Sequence, residues 1–102
     1  MTILREWRGR SKPDKAAATL RHYQNNLKPV MSRSPGFISA SLGSRDIGGL
    51  VEFILVSRWH DMDSVKTFAG LAPERAVLPE GTETILEDSD QFVRLFEILD
   101  EV

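Results

Sequence analysis

Four aromatic side chains are the residues of this sequence best suited to chemistry. Trp7, Tyr23, Trp59 and Phe68 fall on four different predicted elements. Aromatic rings make flat walls for an aromatic ligand, and the indole N–H and phenol O–H add polar handles. The plainer readings are a core plug for Trp59 and a backbone-paired hydroxyl for Tyr23. His22 falls off the apolar stripe of its helix, which predicts exposure, and His60 opens the connection into the next helix. Neither has Asp or Glu at ligand spacing, so no metal site is expected. The chain has no cysteine, which excludes disulfides and thiolate chemistry. No nucleophile stands beside a base, no proton acceptor can be named, and there is no glycine-rich phosphate loop. The residues alone leave two readings open, a flat wall for an aromatic ligand or filling of the core.

The background agrees with that modest inventory. The chain has 102 residues and a net charge of −2, with both signs interspersed. That leaves no footprint for nucleic acid or an anionic membrane. The opening "MTILREWRGR" lacks the apolar core of a signal peptide, and no run approaches bilayer length. One domain over residues 1–102 is expected, located in the cytoplasm.

The elements that must position these rings follow from hydrophobic period. Thr2–Arg10 reads as a strand of imperfect alternation. A helix then starts at Pro13, with Asp14 favourable at its positive end. Ala16, Leu20, Tyr23, Leu27 and Val30/Met31 make its apolar stripe. Pro29 predicts a kink or an end near Lys28. Phe37–Arg45 is a second strand, and "RDIGG" supplies a hairpin turn into a third, Leu50–Trp59. Asp61 caps a helix carrying Met62, Val65, Phe68 and Ala69, which Gly70 ends. A short helical turn is expected at Pro73–Val77 and another, ambiguously, in "TETILEDSD". Gln91–Leu99 is the last strand.

The order strand, helix, strand, strand, helix, strand predicts an α+β, ferredoxin-like βαββαβ fold with an antiparallel sheet. Strand one is placed beside strand three and parallel to it, and both helices on one face. Phe53, Leu55, Ser57 and Trp59 share one face of strand three, and Glu52, Ile54, Val56 and Arg58 the other. Helices can cover only one, so the face with Ile54 and Val56 predicts a homodimer packed sheet to sheet. Glu6, Arg8, Glu52 and Arg58 fall on that second face, placed to pair at the interface or to stand in water at the rim.

The segments "PGFISASLGSRD", "VEFILVSRWHDMDSVKTFAG" and "VRLFEIL" resemble the antibiotic biosynthesis monooxygenase family of dimeric α/β barrels. The likeness runs over nearly the whole chain, and Phe53 to Gly70 with "PERAV" is its most specific part. The resemblance implies a substrate between sheet and helices, bound by Trp7, Tyr23, Trp59 and Phe68, with Trp59 in the position of a recurring tryptophan. It implies oxygenation of a small aromatic substrate without cofactor, in which the substrate anion itself reduces oxygen. Leu55 stands where the oxygenases carry asparagine, Trp7 where heme degraders carry one, and Leu95 where close relatives often carry histidine. The region "PERAVLP" lacks the heme degraders' axial histidine. The alternative is a non-catalytic ligand-binding or interaction domain of the same fold.

Overall fold

The computed structural model describes residues 1–102. Strand β1 (Ile3–Ser11) lies inside the sheet and alternates as the pleat requires. Ile3, Arg5, Gly9 and Ser11 are buried beneath the helices, while Leu4, Glu6, Arg8 and Arg10 turn to the other face and are half-buried. Strands β2 (Phe37–Ile47) and β3 (Leu50–Trp59) form a hairpin whose two turn residues are Gly48 and Gly49. Both have positive φ, +54° and +84°, the left-handed pair that matches strand twist.

The sheet order is β2-β3-β1-β4, with β5 (Arg94–Glu97) also on β1. Strand β4 (Asp88–Ser89) pairs with Gly9 and Arg10, and β5 with Ile3–Glu6, so two short pieces share one edge. The fold is the expected ferredoxin-like α+β arrangement. One detail is corrected: β3 lies beside β1 but antiparallel to it. The helical crossover brings β2 back parallel to β1, the hairpin then reverses β3, and β3 slots between them.

At Pro29, where a kink or an end is expected, the helical layer continues through an irregular turn. The chain makes a 3-10 turn at Pro13–Lys15, then α1 (Ala16–His22), a π-helical turn at Tyr23–Leu27 and α2 (Lys28–Arg33) without a break. The proline does not end the helix. Lys28 N–H bonds to the carbonyl of Tyr23, five residues back, and this wider turn absorbs the missing donor and the ring of Pro29. It also changes the inward stripe. Thr19 and Met31 are buried and Tyr23 and Leu27 half-buried, a spacing of four, whereas Leu20 and Val30 are exposed. A regular α-helix would drift by roughly 40° at each such step, and the π-turn reduces that drift.

Helix α3 (Met62–Ala69) matches its expected bounds. Beyond Gly70 the helical turn expected at Pro73–Val77 is reduced to a single hydrogen-bonded turn, closed by Arg75 N–H on the Ala72 carbonyl at 3.0 Å. The backbone then bridges to the last strand's approach: Ala76 N–H reaches the Gln91 carbonyl at 3.0 Å and Val93 N–H reaches that of Glu74 at 2.7 Å. The one short helix of this region is α4 (Thr82–Ile85). The last strand is accordingly shorter than Gln91–Leu99. The core knits Ile3, Met31, Leu55, Trp59 and Val65, so sheet, α2 and α3 meet there. No helix is long and apolar enough to cross a membrane.

The α3 entry gives a first test. Asp61 accepts from the Ser64 N–H at 2.8 Å and from the Ser64 hydroxyl at 2.7 Å, and these bonds hold its carboxyl below the usual aspartate range. A depressed folded value means the contribution is complete above the unfolded pKa and is lost as pH falls through the folded one. Asp61→Ala is expected to lower the urea midpoint at neutral pH. The gap to the parent should close as the pH is taken below the ordinary carboxylate range. A gap that persists there would show that the cap is not its source.

Candidate functional site

Between the helical layer and the inner sheet face lies a cavity of about 50 Å³. The sheet floor contributes Arg5, Trp7, Leu42 and Leu55, the helices contribute Tyr23, Leu27, Met31 and Phe68, and the segment after Gly70 supplies Val77, Leu78, Pro79, Thr82 and Leu86. The lining is mostly apolar, and Arg5 is its only charged residue. As it stands the space suits a few heavy atoms, against the roughly 150 Å³ of an engineered cavity that holds benzene.

Each polar group on the wall has a definite state. Trp7 Nε1 donates to the Asp90 carbonyl at 3.2 Å, and the indole has room because Gly9 follows it on the same face. A Cβ at Gly9 would stand 2.6 Å from the Trp7 ring. The Thr19 hydroxyl donates to the Lys15 carbonyl at 2.9 Å. The Tyr23 phenol is pushed up by burial alone, with no charge or hydrogen bond acting on it.

Thr82 is tied to the helical layer. Its hydroxyl donates to the Pro79 carbonyl at 2.6 Å, so it accepts from His22 Nε2 at 3.0 Å. That assigns His22 the Nε2–H tautomer, with Nδ1 accepting from the Asn26 amide at 3.0 Å. The expected exposure of His22 is corrected: it is half-buried, because the loop carrying Thr82 folds over α1. His60 is exposed. No group of three potential ligating side chains forms a metal site.

Arg5 is the residue that sequence reasoning missed. It is 5% exposed, and its Nη2 donates to the Arg75 carbonyl at 2.6 Å. Its Cζ lies 5.5 Å from the Phe68 ring centroid, a cation–π contact. Its Nε has no partner. Burial pulls the guanidinium pKa down to about 10. The signal was present in strand parity: if Ile3 and Trp7 face inward, Arg5 between them does too.

Of the four aromatic candidates the structure brings three around the cavity, Trp7, Tyr23 and Phe68. Trp59 is placed one layer behind. It is 0% exposed, stacks on Phe68 at 4.8 Å, meets Phe37 edge-on at 5.4 Å and donates from Nε1 to the Ser57 hydroxyl at 2.9 Å. Phe68 occupies the position between Trp59 and the void, so Trp59 is not part of the lining.

The outer sheet face carries a charged network. Glu52 receives Arg45 at 2.7 Å and Arg10 at 3.1 Å, with Arg8 at 4.0 Å. The Arg45 hydrogen bond, ahead of that from Arg10, holds its carboxyl below the usual range. Arg8 also meets Glu6 at 3.5 Å, while Arg58 turns away to Glu101 at 3.1 Å.

Comparison with known proteins places this geometry. Residues 3–76 match the family described as antibiotic biosynthesis monooxygenase. Among solved structures, the fold is similar to Rv0793 of Mycobacterium tuberculosis, with a TM-score of 0.70 at 18% identity over 99% of this chain and 98% of that one. It is similar to the ActVA-Orf6 monooxygenase of Streptomyces coelicolor, solved with nanaomycin D, with a TM-score of 0.69 at 14% identity over 99% and 89%. It is also similar to a mutant of SnoaB, a cofactor-independent oxygenase of Streptomyces nogalater, with a TM-score of 0.62 at 15% identity over 99% and 96%. A search of curated proteins gives no match.

The placement of Trp59 predicts a stability effect. Trp59→Ala is expected to cost about 3–5 kcal/mol, the value for a fully packed core ring. It should appear as a shift of the urea midpoint at unchanged slope. A cost well below that range would put the indole beside empty space and return it to the cavity wall.

Proposed function

The chain belongs to the antibiotic biosynthesis monooxygenase family, and we propose that it is a cofactor-independent monooxygenase that oxidises a small aromatic substrate in the helix–sheet cavity. The observation that carries this reading is an apolar cavity walled by Trp7, Tyr23 and Phe68, with a lone cation in its lining. In this chemistry a hydroxyaromatic loses its O–H proton, and the electron-rich anion reduces O₂ and forms a C–O bond at a ring carbon that bears hydrogen. The peroxide is protonated, then loses water with the hydrogen of that carbon, leaving a carbonyl. The substrate's O–H and C–H bonds supply the electrons, and one oxygen atom leaves as water. The protein orients the ring, excludes bulk water and favours the anion. SnoaB, described as cofactor-independent, and the nanaomycin-bound monooxygenase support the reading by likeness of fold.

Heme does not suit these residues. Neither histidine lines the cavity, and His22 already uses both ring nitrogens. A second reading, a ligand-binding domain without catalysis, is favoured by one observation: no carboxylate or imidazole lines the cavity to take the proton.

Oxygen uptake decides between them. With a single-ring quinol as substrate and no added cofactor, the protein is expected to consume oxygen well above the protein-free rate. Trp7→Ala should lower kcat/KM roughly 10–100-fold through lost ring positioning. Uptake no faster than the blank would leave the binding-domain reading.

The unit proposed is a homodimer formed through the outer sheet face. Leu4, Ile54 and Val56 are half-buried there, and Phe96, across from Leu4, is 49% exposed. Sedimentation at micromolar concentration is expected to give two copies. Ile54→Glu should give one copy with its fold intact by circular dichroism. A parent that sediments as one copy would overturn the dimer.

A further inference from the structure

Arg5 differs from the other arginines that the sheet presents. Arg8, Arg10, Arg45, Arg58 and Arg94 each reach a carboxylate. Arg5, more deeply buried than any of them, reaches none. Its only hydrogen bond goes to the Arg75 carbonyl, although a guanidinium offers five N–H donors. The acids of β1 and β3, Glu6 and Glu52, sit on the opposite face, where the pleat puts them. Of the cavity's other donors, Trp7, Thr19 and Thr82 are engaged by backbone carbonyls, and the Tyr23 hydroxyl stands beside Arg5 in the lining as a second available donor.

We propose that the cavity is an oxyanion site, in which Arg5 holds the carboxylate or phenolate of a small apolar acid whose body lies against Trp7, Tyr23 and Phe68. The guanidinium fork suits two carboxylate oxygens or one delocalised phenolate oxygen. The apolar walls then accept the remainder of the ligand. A buried cation without an acid is an unfavourable arrangement for folding alone, and its depressed pKa reflects that. A bound anion supplies the missing charge, displacing the few waters that the space admits. The small space favours short acids first, single-ring acids next and fused-ring systems least. The inference rests on the cavity being the ligand site of the oxygenase reading, and it names the ligand's charge.

The test uses acids that are not oxidised. Propionate and benzoate are titrated by calorimetry against propionamide and benzamide, their neutral counterparts. Each acid is expected to bind about tenfold or more tighter than its amide. Arg5→Met should abolish the preference, while Arg5→Lys, which keeps the charge, retains it. The unfolding midpoint of Arg5→Met is expected to equal or exceed the parent's, whereas a structural arginine would give a lower one. Displacement of benzoate by 4-nitrophenol as its yellow anion assigns a phenolate-type ligand, and failure to displace assigns a carboxylate. Equal binding of acid and amide, no binding of either at millimolar concentration, or a preference that survives Arg5→Met overturns the anchor. Binding of benzoate through Arg5 without any oxygen uptake retires the oxygenase and keeps the anchor. Quinol oxidation at equal rates in the parent and Arg5→Met retires the anchor and keeps the oxygenase.

Discussion

The register of β1 is the constraint on which the rest of the molecule depends. This strand pairs with β3 along its whole length on one side and with β4 and β5 on the other. Its side chains alternate between two environments of opposite character. A slip of one residue would exchange them all. Arg5 and Trp7 would leave the cavity floor, and Glu6, Arg8 and Arg10 would enter the core. The hydrogen-bonded ladder thus fixes both the apolar cavity and the ion network behind it, one sheet thickness apart. Glu52, buried on the outer face, reinforces the register because it gathers Arg10 from β1 and Arg45 from β2.

The packing around Trp59 decides how the inner face is divided between core and cavity. Its ring is held by Phe37 and Phe68, and its N–H is satisfied two residues back by Ser57. A buried indole with a partner on its own strand needs nothing from a ligand. Phe68 is then the boundary residue. It is stacked on the closed core and exposed to the void, and it carries the Arg5 contact. The cavity lies between the Trp7 ring, which packs over Gly9, and the wide π-turn that carries Tyr23.

Much of this was legible from period alone. The strong runs, β3 and α3, were readable to their ends, because a ten-residue apolar run and an Asp cap with a terminal glycine leave little freedom. The hairpin glycines were equally plain. What escaped had identifiable physical causes. The π-turn accommodates Pro29 locally, and period alone did not distinguish Thr19 from its neighbour Leu20 as the inward residue. The segment from Leu71 to Glu87 has no period, since its backbone is satisfied by distant partners such as Gln91 and Arg10. Trp59 looked like a wall because the sequence does not show that Phe68 stands in front of it. Arg5 was passed over because an arginine in a strand reads as solvent-facing, although the parity of its neighbours said otherwise.

The two sides of the cavity differ in stiffness, and that difference bears on how a ligand enters. The floor belongs to a sheet with continuous backbone pairing and to rings packed on the main core. The roof, Val77 to Leu86, is irregular apart from one short helix, and side-chain bonds help hold it, chiefly His22 to Thr82. Segments with few backbone partners are those that open locally at low free energy. A rigid floor keeps Arg5 and Trp7 in place while the roof yields, which is the division of labour that a binding site needs. The hydrogen bond between His22 and Thr82 ties that roof to α1 above the fixed floor.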